Sequence, residues 1–169
     1  VFDSINKQNK GHFDKTVVIP PGVDVAGYQS SSQKRHVGRL LYVGSAKPQL
    51  GLEILLRALE TVLEATPNVH LVIVEGDTFL RYKIDHWLQQ MELETSVSVL
   101  GDISEEELVE EYGKAEIMVV PALTGGLGIR CLQAMACGLP VVSTRVHGIE
   151  GIVEDLSTGI LVPPGDPDA

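Results

Sequence analysis

Cysteine is scarce in this chain: only Cys131 and Cys137 occur among 169 residues, six positions apart in one predicted helix and off a common face. That spacing excludes a disulfide and implies a reducing, cytoplasmic setting. Basic side chains are also in short supply, with 13 Lys and Arg against 23 Asp and Glu, a formal charge of -10 and no polybasic run. Such a chain repels phosphate backbones and anionic lipid, which argues against nucleic acid or a membrane surface as partner. No apolar run approaches the roughly 18 residues of a membrane helix, and no signal-peptide pattern opens the chain, so no direct membrane insertion is expected. The histidines lack ligand spacing, and no metal is expected. A dinucleotide fingerprint is missing too, because Gly44-Ser45-Ala46 after the first long strand does not fit G-x-G-x-x-G.

What is present is a full apolar complement. Hydrophobic residues make up 44% of the chain, enough for one α/β domain with a substantial core. Short β-rich runs at Thr16 to Pro20, Arg39 to Val43, Val69 to Val74, Ser96 to Leu100, Ile117 to Val120, Pro140 to Ser143 and Ile160 to Val162 alternate with helical patterns. That alternation is the signature of parallel βαβ units. Leu52, Leu55, Leu56, Leu59, Val62 and Leu63 fall on one helical stripe, which Pro67 ends. A second helix is expected from Thr78 to Leu93, with Phe79, Ile84, Trp87 and Leu88 available to pack. A third opens on a capping box of Ser104 and Glu107 and turns Leu108 and Tyr112 inward. Strands apolar throughout, such as Leu71-Val72-Ile73-Val74, imply a sheet covered by helices on both faces. Ser30-Ser31-Ser32 reads as a surface loop. Val1 to Lys15 reads as a linker or the remnant of a preceding segment, and Pro163 to Ala169 as a loop and cap leading into a further helix. A fragment of a longer protein is expected.

Ligands of such sheets bind at the carboxyl ends of the strands. Four loops should gather there, Gly44 to Gly51, Glu75 to Thr78, Gly101 to Ser104 and Ala122 to Gly128, and each contains glycine. One glycine after a strand usually just makes the turn, whereas four in register point to a site. The last loop is the most informative, since Ile117 to Val142 reads as strand, glycine turn, small-residue helix and strand without a break. A turn of that kind presents backbone N–H groups at the positive end of a helix dipole, as a phosphate site requires.

The order of motifs resembles the C-terminal domain of family-four (group 1) glycosyltransferases of GT-B fold. Val17-Val18-Ile19-Pro20-Pro21-Gly22-Val23-Asp24 is similar to that family's first strand, and Gln133 to Val142, reading QAMACGLPVV, is close to its most specific segment. Gly159 to Asp166, reading GILVPPGD, closes the match, which covers nearly the whole chain after residue 15. The resemblance implies a Rossmann-like nucleotide-sugar domain over residues 16–169, the C-terminal half of a GT-B fold. Its substrate would be a nucleoside-diphosphate sugar, used without metal and with retention of configuration, and its acceptor half would precede this segment. By match of position, Gly44 and Ser45 lie on the first loop of the donor site. Gly101, Asp102 and Ile103 would edge the base, and Gly126, Leu127, Gly128 and Ile129 would offer amides to the diphosphate. Gln133 would meet the ribose hydroxyls, since an amide can both accept and donate.

Departures from the family pattern carry information of their own. Members commonly hold glutamates where this chain has Gly125 and Gln133, and cationic side chains on the first loop where it has Ser45 and Leu50. Lys47 and Arg130 are the candidates to replace the missing charge on the leaving group. The alternative is a degenerate, non-catalytic homologue that binds nucleotide sugar weakly or serves as an interaction module. His147 reads as a solvated loop residue, Glu150 is balanced between structure and function, and the two cysteines read as packing residues. Glu105, Glu106 and Glu107 are best explained by capping and the helix dipole, worth about 0.3 to 1 kcal/mol each.

Overall fold

The computed structural model describes residues 19–28 and 34–169. Six strands, β1 (Arg39–Val43), β2 (His70–Val74), β3 (Val97–Leu100), β4 (Ile117–Val120), β5 (Val141–Thr144) and β6 (Gly159–Val162), form one sheet in the order β3-β2-β1-β4-β5-β6. Every pairing is parallel. Four helices lie between them: α1 (Leu52–Ala65), α2 (Arg81–Gln90), α3 (Glu105–Lys114) and α4 (Ile129–Ala136). The Rossmann-like reading therefore holds.

Alternation along the strands divides the core in two. Tyr42, Leu71 and Ile73 face α1 and α2 and pack with Leu52, Leu56, Leu59, Ile84 and Leu88. Their neighbours Leu41, Val72, Val74 and Met118 face α3 and α4, meeting Leu108, Tyr112, Cys131 and Ala134. Full burial of each such side chain stabilises the fold by about 1.5 to 3 kcal/mol. Strand order reverses between β1 and β4, which separates the loops that follow them and opens a crevice at the carboxyl rim.

Several expectations need correction. The run Thr16 to Pro20 lies mostly outside the described residues, as does Ser30-Ser31-Ser32, and Ile19 and Pro20 are not in a strand. The helix expected from Thr78 to Leu93 is a 3-10 turn, Thr78–Leu80, followed by α2. It stops because Glu92 takes a left-handed φ of 54°, which lets the Leu93 amide fold back onto the Leu88 carbonyl at 2.9 Å. Phe79 is 87% exposed rather than packed, and Val62 lies at the open edge of its stripe. The capping box forms as read: Ser104 Oγ accepts from the Glu107 amide, and Glu107 accepts from the Ser104 amide.

An apolar groove of about 420 Å³ runs along the α1 face of the sheet, between residues such as Ile54, Ala58, Val119, Val142 and Pro167. Its lining contains no Lys or Arg, so it is unsuited to a phosphate. No helix among the described residues is long and apolar enough to cross a membrane.

Candidate functional site

The four glycine loops meet at the carboxyl rim. On the first, the Gly44 amide donates to the Val74 carbonyl at 3.0 Å, and Tyr42 donates its phenol proton to the Ser45 carbonyl at 2.9 Å. Lys47, on the same loop, is half exposed and lies 3.9 Å from Asp77 of the second. A Cβ on Gly76 would sit 3.5 Å from Asp102 Oδ1, which joins the second loop to the third. The first and fourth are stitched by a 2.9 Å bond from the Leu123 amide to the Gln49 carbonyl. They are also in tight contact, since a Cβ on Gly51 would fall 1.8 Å from the Pro121 carbonyl oxygen.

The glycine turn before α4 has a specific geometry. Gly128 is its N-cap, with φ of 63°, and Leu132 is the first residue whose amide reaches back to the Gly128 carbonyl. The amides of Leu127 and Gly128 have no acceptor among the described residues, and those in the first turn of α4 have none within the helix. Gly126 differs, because its amide donates to the His147 carbonyl at 3.3 Å. This corrects the expectation that Gly126 offers an amide to phosphate. His147 itself is exposed, as read, while its backbone braces the turn.

Gln133 does not stand open to the rim. Its side chain is only 8% exposed and every polar position is engaged. Its amide nitrogen donates to the Tyr28 hydroxyl at 2.5 Å and to Glu105 Oε1 at 3.0 Å. Its oxygen accepts from Arg130 at 2.9 Å and from Tyr112 at 3.3 Å. Tyr28 donates in turn to Glu105. Burial first, then the hydrogen bond to Glu105, raises the Tyr28 pKa, and burial raises that of Tyr112.

Glu75 closes β2 beneath the first two loops. It is 2% exposed, and among the described residues neither carboxylate oxygen has a hydrogen-bond partner of normal geometry. Burial pushes its pKa up, and the nearby amides of Asp77 and Ala46 only oppose the rise. The cysteines are buried and free, with burial lifting Cys131 to about 11 and Cys137 in the same direction. Both are packing residues, as read.

Gly44, Ser45, Lys47, Gly101, Asp102, Ile103, Gly125, Gly126, Leu127, Gly128, Ile129, Arg130 and Gln133 all fall on the rim loops or in α4 behind them. Space beside Gly101 is open, with nothing within 4 Å of a Cβ placed there. Tyr28 and Glu105 were not legible as members of this cluster. Their contacts to Gln133 cross 105 and 28 positions of sequence, and no spacing rule links residues so far apart.

Residues 29–169 match the family described as glycosyl transferases, group 1. A D-inositol 3-phosphate glycosyltransferase of Acidothermus cellulolyticus is 31% identical over 91% of this chain and 38% of its own length. An uncharacterized glycosyltransferase of Methanocaldococcus jannaschii is 35% identical over 77% of this chain and 33% of its own. The chain thus spans about two fifths or less of these relatives. Among solved structures, a sucrose-phosphate synthase from Thermosynechococcus elongatus superposes with a TM-score of 0.78 at 29% identity, covering 89% of this chain and 40% of that one. The Anabaena protein HepE, in complex with UDP and glucose, shares the fold at a TM-score of 0.80 and 22% identity, covering 94% of this chain and 46% of its own.

Proposed function

This chain belongs to the group 1 glycosyl transferases, and on that premise we propose that it is the donor half of an enzyme that moves a sugar from a nucleoside diphosphate to an acceptor. What supports the proposal is the rim itself: the amides of Leu127 and Gly128 have no acceptor among the described residues, Arg130 is exposed in the helix they open, and the half-exposed Lys47 lies on the loop stitched to theirs. The HepE complex with UDP and glucose supports a nucleotide sugar as ligand. Relatives more than twice as long support an acceptor half contributed by another part of the protein, so the donor half alone is expected to bind without turning over.

The chemistry follows from the charge that develops when the diphosphate leaves. Lys47 and Arg130 are cations that need no proton transfer to act, and together with the amides of Leu127, Gly128 and Ile129 they stabilise the departing phosphate. Each preorganised donor of this kind is worth about 3 to 4 kcal/mol at the transition state. Gly101, Asp102 and Ile103 border the base. Retention of configuration fits a site with no free carboxylate in the glycine turn, because the donor's own phosphate then assists the incoming acceptor. Calorimetric titration with UDP, GDP and ADP tests the reading. Millimolar ligand without heat from any of the three would sink it.

One observation favours a second reading, a homologue that binds without catalysis. A Cβ on Gly125 would lie 2.4 Å from the His147 carbonyl oxygen, so this turn has no room for a carboxylate near the sugar. Nucleotide binding without hydrolysis or transfer of any sugar by the complete protein would establish that case.

A further inference from the structure

We propose that Glu105 is the carboxylate that receives the ribose hydroxyls of the bound nucleotide, with Gln133 and Tyr28 as the positioning residues that aim it; this rests on the donor-site reading above. A carboxamide has two N–H donors and one oxygen with two lone pairs, and all four capacities of Gln133 are taken by Tyr28, Glu105, Arg130 and Tyr112. A ribose could use Gln133 only by displacing one of them. Glu105 is in the opposite condition. It is exposed at the first position of α3, its Oε1 takes both Tyr28 and Gln133, and its Oε2 has no donor among the described residues. No cation pairs with it among those residues.

The polarity of Gln133 is forced by its neighbours. Arg130 can only donate and Glu105 can only accept, so the amide oxygen faces one and the amide nitrogen the other. A glutamate at 133 would set a second carboxylate 3.0 Å from Glu105. Gln133 is therefore the consequence of Glu105. The negative charge sits at the start of α3, where the helix dipole stabilises it. Gln133 thus holds an exposed anion on one side and an exposed cation on the other. A carboxylate accepts from two adjacent hydroxyls, and a guanidinium takes phosphate. A ligand carrying a vicinal diol next to phosphate fits both, as a ribonucleoside diphosphate does.

The test uses whichever of UDP, GDP and ADP binds the chain, compared with its 2′-deoxy analogue. The unmodified chain should prefer the ribonucleotide. Glu105→Gln should weaken that ligand roughly 10- to 100-fold and reduce the preference towards unity. Glu105→Asp keeps the carboxylate at the exposed position and should retain more of the affinity and of the ribose preference than Glu105→Gln does. Glu105→Gln with unchanged affinity and unchanged preference overturns the assignment, as does a folded Glu105→Asp that loses as much of the preference as Glu105→Gln. Failure of the unmodified chain to bind any of the three nucleotides counts instead against the donor-site reading. A purely structural role for Glu105 would not move the 2′-hydroxyl preference, and circular dichroism separates loss of fold from loss of binding.

Discussion

Gly125 and His147 are locked against each other: the carbonyl oxygen of His147 occupies the place, 2.4 Å away, into which any side chain at position 125 would grow. The partner glycine is equally constrained, since a Cβ on Gly148 would lie 2.0 Å from the Gly126 carbonyl oxygen, at a φ of 94°. A Cβ on Gly126, by contrast, would meet nothing within 4 Å.

Substitution in this turn should therefore be sharply position-dependent. Gly125→Ala forces backbone against backbone and is expected to cost about 1 to 3 kcal/mol, with weaker nucleotide binding. Gly126→Ala should change stability by less than about 0.5 kcal/mol. Chemical denaturation of the two variants side by side reads the difference, and equal losses would contradict it.

Glu75→Gln should stabilise the fold at neutral pH. The folded state raises the Glu75 pKa through burial, so its contribution is fully present below the unfolded carboxylate value of about 4.3 and is lost as pH rises through the folded value. Near neutral pH the parent holds a buried carboxylate that the Asp77 and Ala46 amides compensate only in part, at a cost of about 1 to 3 kcal/mol, which the neutral amide reduces. Melting temperatures measured across pH should show the variant above the parent at about pH 7.5, with the gap closing towards about pH 4. A gap that widens in acid would be the wrong sign.

Glu111 has the opposite dependence. Burial pushes its pKa up, but Lys114 and Arg39 outweigh that and hold it below the usual value. Its contribution is present above the unfolded pKa and fades as pH falls through the lowered folded value. Glu111→Gln should cost about 1.5 to 3 kcal/mol at neutral pH, because it leaves the charge of Arg39 partly buried. Stability measured in acid should show parent and variant converging.

On the donor-half reading, Arg130→Ala and Lys47→Ala in the complete protein should each lower kcat by about 100-fold or more, with smaller changes in KM. An effect confined to KM would assign both side chains to ground-state binding.

Much of the architecture could be read from periodicity. Leu52, Leu55, Leu56 and Leu59 mark the buried stripe of α1, and the apolar run at Leu71 to Val74 marks a strand covered on both faces. The ends of elements were harder to place. The left-handed φ of Glu92 ends α2 early, and a glutamate there carries none of the signal that a glycine would. At the site, loop positions were legible because glycine advertises tight backbone. Saturation of Gln133 was not, since it depends on Tyr28 and Glu105 arriving from distant segments. Identity of one residue type suggested an open ribose contact, whereas its polar atoms are engaged by protein partners.

The stitch between Leu123 and Gln49, with Gly51 pressed against the Pro121 carbonyl, has a thermodynamic consequence. Loops on either side of the switch point are ordered when the sheet folds, so an arriving ligand need not supply the entropy of assembling them. Association with this rim should involve little backbone rearrangement, and cutting the stitch should appear first as slower, more entropically opposed binding rather than as loss of the sheet.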